Sequence, residues 1–201
     1  MKLLPVLFAC TLFLYSSYGG PEIRDRTAIC NMEPNSAESD QPVRGIVVFR
    51  QLSYESNMTI DVQLSGFKHL PRTAYDTEYL HGFHVHEFGN LTGGCDATGG
   101  HYNPFEQDHG GLGDVNRHVG DFGNLRQTPD GNVDVQFIDT VASVWGEFSN
   151  IIGRGLVVHA NVDDLGKGNN ISSKINGNSG KRLACCVIGF AAHDRHAHDT
   201  R

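Results

Sequence analysis

Between His84 and Asp121 the chain places five histidines and one aspartate at short, regular spacings. His84 and His86 stand two residues apart in Gly82-Phe-His-Val-His-Glu-Phe-Gly89. Residues i and i+2 of a β-strand share a face, so this pair aims two imidazoles in one direction among Phe83, Val85 and Phe88. His101, His109, His118 and Asp121 follow with seven, eight and two residues between them, in stretches rich in Gly, Pro and Asn, as a ligand loop requires. His159 lies far along the chain, in the apolar run Gly155-Leu-Val-Val-His-Ala160. Imidazole suits copper and zinc, and nitrogens joined by one carboxylate oxygen are typical of zinc. Seven candidate ligands are too many for one four-coordinate ion and one short of two separate ions. Two ions that share a ligand close the count, and a histidine can be shared only as imidazolate, bonded through both ring nitrogens. Any one of these histidines alone reads as an ordinary loop or core residue; six of the chain's eleven at ligand spacing read as a metal centre.

Short β-rich runs separated by turns would position these groups: Ile46–Leu52, Thr59–Gly66, Gly82–Phe88, Asn132–Asp139, Gly155–Asn161 and Leu183–Phe190. Thr59-Ile-Asp-Val-Gln-Leu64 and Asn132-Val-Asp-Val-Gln-Phe-Ile138 alternate apolar and polar, one face each. No segment sustains helical periodicity. Short alternating strands in a chain with 24 glycines favour an all-β fold, an antiparallel sandwich or barrel. The Gly-rich stretches 89–131 and 163–181 are long for plain connections, and loops of that length usually carry function. Residues 21–42 are mixed and polar without periodicity and read as an extension.

The residues resemble those of copper/zinc superoxide dismutase, specifically its secreted extracellular form. The matching motifs are Arg44-Gly-Ile-Val-Val-Phe-Arg-Gln-Leu52, His84-Val-His86, Gly94-Cys95, His101-Tyr-Asn-Pro104, His118-Val-Gly-Asp121, Val157-Val-His159, Asp163-Asp-Leu-Gly166 and Arg182-Leu-Ala-Cys-Cys-Val-Ile-Gly189. They cover residues 42–190, in the family's order. The resemblance implies a Greek-key barrel with long metal-binding and electrostatic loops. It implies copper held by His84, His86, His101 and His159, zinc held by His101, His109, His118 and Asp121, and His101 as the bridge. Asp163 matches a carboxylate that hydrogen-bonds one copper and one zinc histidine, here His84 and His109; without the family it would read as a turn or cap acid. Arg182 matches the anchor for superoxide, a small anion suited to a guanidinium beside the open copper position. The implied reaction alternates Cu(II) and Cu(I) to give O₂ and hydrogen peroxide, while redox-silent zinc orders its loop.

Two departures stand out. Where many intracellular members carry acidic residues and a lysine before the anchor, this chain has Ile171, Ser172 and Ile175, so steering falls to Lys167, Lys174, Lys181 and Arg182. Mammalian extracellular members end in a basic heparan-sulfate-binding tail, whereas this chain ends Ala192-His-Asp-Arg-His-Ala-His-Asp-Thr-Arg201, so no strong heparin binding is expected.

Residues 1–19 have one lysine, an apolar run from Leu3 to Leu14 and then small residues, which together read as a secretory signal cleaved after Gly19. The expected organisation is signal 1–19, N-terminal extension 20–41, dismutase domain 42–190 and a solvated His-containing tail 191–201. Loss of Lys2 takes the formal net charge from −7 to −8, and an acidic chain without a basic cluster argues against nucleic acid or an anionic membrane as partner. Secretion places the cysteines where disulfides persist. Cys10 leaves with the signal, and the remaining four allow three pairings. The resemblance implies Cys95–Cys185, which leaves Cys30 with Cys186; a free Cys186 seeking another subunit is the alternative. Asn57-Met-Thr, Asn90-Leu-Thr and Asn170-Ile-Ser are N-glycosylation sequons. Family members form dimers through a flat apolar patch, and extracellular ones dimers of dimers, so a homodimer or homotetramer is expected. A copper chaperone would lack copper ligands that this chain has, and an adhesion module would need no histidines. A metal store could keep every ligand and differs only in lacking turnover.

Overall fold

A computed structural model describes residues 25–36 and 38–192. The expected signal, residues 1–19, and the histidines of the C-terminal tail lie outside the described residues. Ten strands run in chain order: β1 Arg26–Pro34, β2 Arg44–Gln51, β3 Met58–Ser65, β4 Leu80–His86, β5 Thr92–Cys95, β6 Asp121–Arg126, β7 Asn132–Asp139, β8 Gly155–His159, β9 Arg182–Val187 and β10 Gly189–Phe190. Eight of them form one sheet in the order β6-β4-β8-β9-β1-β2-β3-β7, every pairing antiparallel, with β10 added beside β1. The sheet curls until β6 and β7, its two edges, come together, so the barrel is nearly closed. The connections β3 to β4 and β7 to β8 run over the barrel ends instead of joining neighbours, as in a Greek key.

β3 shows why the chain forms strands here. Met58, Ile60, Val62 and Leu64 are buried while Gln63 and Ser65 face out, so the period-2 pattern delivers one apolar face to the core. β4 and β8 differ, being buried along nearly their whole length. In both, alternate residues enter the barrel core, Phe83 and Val85 in one, Leu156 and Val158 in the other. Their outer faces carry His84, His86 and His159, also buried, because the long loops fold over this side of the barrel. A strand covered on both faces reads as a continuous apolar run, with histidines where polar alternation would otherwise appear.

The reading of residues 21–42 as an aperiodic extension needs correction over Arg26–Pro34. This segment is a full strand: Ala28, Cys30 and Met32 point into the core, seven residues pair with β2, and Glu33 and Pro34 pair with Cys185 and Ala184 of β9. The inward face has only three apolar residues, two of them Cys and Met, and the alternating face carries Thr27, Ile29, Asn31 and Glu33, so only Ile29 and Thr27 bring marked β propensity and the apolar alternation is blurred. Its neighbours on both sides make it a strand. α1, Ile171–Asn176, lies where no helix was expected; at six residues it is too short to show a period. Asn170 caps it by accepting from Ser173 N–H at 2.9 Å.

Two disulfides tie the last long strand to other elements. Cys30 joins Cys186 (Cα–Cα 5.6 Å) inside the barrel core, and Cys95 joins Cys185 (5.7 Å) in a small outer cluster with Val157. Adjacent residues of β9 thus serve opposite faces. The Cys30–Cys186 bridge spans 156 residues and so removes much freedom from the unfolded chain. Cys30→Ala with Cys186→Ala is expected to lower stability by about 2–5 kcal/mol in denaturant unfolding. Copper and zinc uptake should stay unchanged, because this bridge faces away from the histidines; metal loss in the folded variant would contradict that separation.

Candidate metal centre

The barrel's registers bring the ligands together. His84 of β4 lies opposite Asp121 of β6, and His159 of β8 lies opposite Arg182 of β9. The loop between β5 and β6 supplies His101, His109 and His118. His101 pairs as an isolated bridge with His86, and Tyr102 and Gly120 hydrogen-bond with Val85 through their backbones, which fastens the loop along β4. Two sets result. The donor atoms of His84, His86, His101 and His159 lie within 4.8 Å of one another, and so do those of His101, His109, His118 and Asp121. His101 belongs to both.

Hydrogen bonds decide which atom of each ring is a donor toward the centre of its set. His86 Nδ1–H donates to Gly99 O at 2.9 Å, and His159 Nδ1–H donates to Gly180 O at 3.1 Å. In the neutral ring the other nitrogen is then a lone pair, and these two Nε2 atoms face each other at 3.3 Å. Burial, followed by neighbouring histidines, pushes both imidazoles well below their ordinary pKa, so both are neutral and neither Nε2 has a proton to offer the other. His84 Nε2 donates to Asp163 Oδ2 at 2.8 Å, which leaves Nδ1 as a buried atom without a hydrogen-bond partner. His101 Nε2 is likewise buried and unpartnered. Four lone pairs therefore converge where only a cation can satisfy them, and the residues fit a metal.

The second set is built around a carboxylate. Asp121 Oδ2 accepts from Gly110 N–H and His118 N–H, at 3.1 and 2.8 Å. Its Oδ1 is 2.9 Å from His101 Nδ1, 2.9 Å from His109 Nδ1 and 3.1 Å from His118 Nδ1. Ligands ~2.0–2.2 Å from a tetrahedral zinc stand roughly 3.3 Å apart, so the three spacings from Asp121 Oδ1 are within a few tenths of an ångström of those in a zinc cage. His109 Nδ1, although close to Oδ1, is out of line for a hydrogen bond and counts as unpartnered. Burial would raise the Asp121 carboxyl, but the three histidines hold it far below the usual carboxylate range. Burial lowers His109, yet Asp121 and Asp163 outweigh it and carry the ring up to about 9. His101 goes the other way, down to about 3, through burial and the neighbouring His84.

Asp163 spans the two sets. Oδ2 accepts from His84 Nε2 and Oδ1 from His109 Nε2, both at 2.8 Å, and all three side chains are fully buried. The carboxylate is itself held by Leu165 N–H at 2.7 Å, while Asn124 bonds its backbone on both sides. Gly177 ends α1 at φ +63°, and a Cβ there would stand 1.9 Å from Asp163 Oδ1 and 2.6 Å from His109 Nε2. The glycine lets the helix end pack onto this contact.

Arg182 borders a pocket of about 140 Å³ together with His86, His101, His159, Ile175 and Asn176. Its Nη1 donates to Cys95 O and Thr98 Oγ1 at 2.7 and 2.8 Å, and its Nη2 donates to Gly99 O at 2.7 Å. One proton of Nη2 has no acceptor in these bonds, so a partly buried cation borders the same pocket as the copper-type rings with a donor to spare. A larger cleft, about 530 Å³, lies beside Lys68, Glu78 and His81 and contains none of the seven ligands; the chemistry is in the smaller one.

Sequence reasoning missed His81 and the backbone acceptors. His81 is buried, with Nδ1 donating to His159 O at 3.0 Å and Nε2 2.8 Å from Gln127 Oε1. It stands three residues before His84, an odd offset that sends it to another face, and that parity was the available signal. The carbonyls of Gly99 and Gly180 orient two ligands yet have no side chain to read.

The description of the copper/zinc superoxide dismutase family matches residues 43–188. The chain is 44% identical over 149 residues to superoxide dismutase 5 (Cu-Zn) of Dictyostelium discoideum, covering 74% of this chain and 91% of that protein. It is 48% identical over 148 residues to the extracellular superoxide dismutase (Cu-Zn) of Drosophila melanogaster, 74% and 76% of the two chains. Against the extracellular superoxide dismutase (Cu-Zn) of Rattus norvegicus the figures are 42% over 170 residues, 84% and 64%. With a converging histidine set, an aspartate-centred set and one histidine common to both, the chain belongs to the copper/zinc superoxide dismutase family.

Proposed function

We propose that the chain is a secreted dismutase in which His84, His86, His101 and His159 hold copper, His101, His109, His118 and Asp121 hold zinc, and Arg182 captures superoxide. Copper supplies the alternating one-electron oxidation and reduction that turns two superoxide ions and two protons into O₂ and hydrogen peroxide, beside a redox-silent zinc. The observation that carries this reading is the sharing of His101 by both donor sets next to an arginine with a spare N–H.

The chain's residues have separate tasks. Arg182 draws a small anion into the pocket and orients it by charge-assisted hydrogen bonding. His101 keeps Nδ1 on the zinc side, so its Nε2 is the atom at the pocket that can take up a proton and pass it to the product. Asp163 fixes the two rings on either side of His101. Ile175 lines the pocket and Ile171 is exposed at the start of the same helix, so attraction to the anion rests on Arg182 and the neighbouring lysines. Secretion is supported by the fly and rat extracellular relatives and by two disulfides in one small domain. Asn57, Asn90 and Asn170 are exposed and available for glycans, and the family's pairing into homodimers or homotetramers is carried over as part of this proposal.

A superoxide-consumption assay on protein loaded with both metals separates this enzyme from a metal store with the same ligands; full loading without turnover would leave the store. Arg182→Ile is expected to retain both metals and lose about ten- to hundredfold of its turnover at low ionic strength, the value of a charge-assisted hydrogen bond. Salt should slow the parent more than the variant. An equal salt response would place the anchor elsewhere. Asp163→Asn is expected to weaken copper and zinc together by about 10–100-fold in competition against chelators, because one carboxylate orients a ring of each set. Weakening of one metal alone would refute the shared role.

A further inference from the structure

Arg182 owes its position to acceptors on one short turn, Cys95 O, Thr98 Oγ1 and Gly99 O, and that turn is itself held from a part of the chain that precedes the family match. The residue responsible is Asn35, directly after β1. Its Oδ1 accepts from Cys95 N–H at 2.7 Å, its Nδ2 donates to Arg182 O at 3.2 Å, and its backbone N–H donates to Leu183 O at 2.8 Å. The arginine and the turn that grips it are thus pinned to each other twice, once through the guanidinium and once through the Asn35 amide. Gly94, at φ +71°, makes room for this contact: a Cβ there would stand 2.7 Å from Asn35 Oδ1. The ring of bonds also reaches the copper-type set, since Gly99 O accepts from both Arg182 Nη2 and His86 Nδ1.

We propose that Asn35 is a positioning residue for the substrate anchor: its side-chain amide sets the separation between the Cys95–Gly99 turn and the start of β9, and thereby where the spare Nη2 proton of Arg182 points. Asn35 is exposed and touches no reacting atom, so it acts through the Cys95–Gly99 turn and the Arg182 that the turn holds. The proposal rests on the reading of Arg182 as the anion's anchor. A residue that merely ended β1 would affect stability alone, whereas a positioning residue must change anion affinity, and only while the guanidinium is present.

The test is a double-mutant cycle with azide, a small monovalent anion, titrated against the copper- and zinc-loaded protein by its copper absorption. Asn35→Ala is expected to weaken azide about two- to tenfold, the range of a lost hydrogen bond, and to raise the half-saturating superoxide concentration while metal content stays unchanged. In the Arg182→Ile background Asn35→Ala should produce no further weakening. Asn35→Gln, which keeps the amide but moves it by one methylene, should behave like Asn35→Ala. Unchanged azide affinity, equal weakening in both backgrounds, or loss of copper from Asn35→Ala would each overturn the proposal, whatever happens to the melting temperature. Azide binding is read whether or not superoxide is consumed. A parent that binds azide but leaves superoxide untouched would refute the dismutase reading, and the cycle would still decide the role of Asn35.

Discussion

Lone pairs aimed at one another inside a protein repel, and the rest of this structure serves to keep four such donors, on His84, His86, His101 and His159, aimed inward beside an aspartate-centred set. His86 and His159 present Nε2 to Nε2 at 3.3 Å, each locked in that tautomer by a carbonyl on its far side. His84 and His109 are oriented by the two oxygens of Asp163. The arrangement of His84, His86, His101 and His159 is unfavourable without a cation, since buried acceptors without donors lose their hydration and gain nothing. The folded chain is therefore built for the metals, and binding free energy at these sites becomes folding free energy. The barrel supplies the rigidity that this needs: β4 and β8 carry three of the ligands, buried on both faces and continuous with the core.

Side chains are legible in a sequence where their type and parity carry the message. The i, i+2 pair His84 and His86, the spacing of His101, His109, His118 and Asp121, and the alternation of β3 were all readable, and the structure places them in strands and donor sets, whereas β7 forms as a strand with Val135 and Ile138 both exposed. β1 was not readable, because Ala28, Cys30 and Met32 have little β propensity of their own and become a strand face only between β2 and β9. β6 begins at Asp121, a residue whose ligand chemistry masks the strand that follows. The acceptors that set tautomers, Gly99 O and Gly180 O, are backbone atoms, on which residue type is silent. Asn35 is an ordinary polar loop residue in sequence; only the fold shows that its amide lies between Cys95 and Arg182.

Two kinds of constraint meet at β9. Its inner face is stapled to β1 through Cys186, and its outer face is stapled through Cys185 to the turn that holds Arg182. The Cys30–Cys186 bridge and Arg182 therefore share a strand but serve opposite faces of it. The pocket lining includes the exposed Ile175, which adds shape but no charge, and Arg182 is the cation among the lining residues.

The central claim is that His101 serves two ions at once. Diffraction from crystals of the loaded protein, recorded on either side of the copper and the zinc absorption edges, tests it most directly. The account predicts one copper and one zinc per chain, with copper on the Nε2 side of His101 and zinc on its Nδ1 side. A single ion per chain, or two ions with no common histidine, would contradict it.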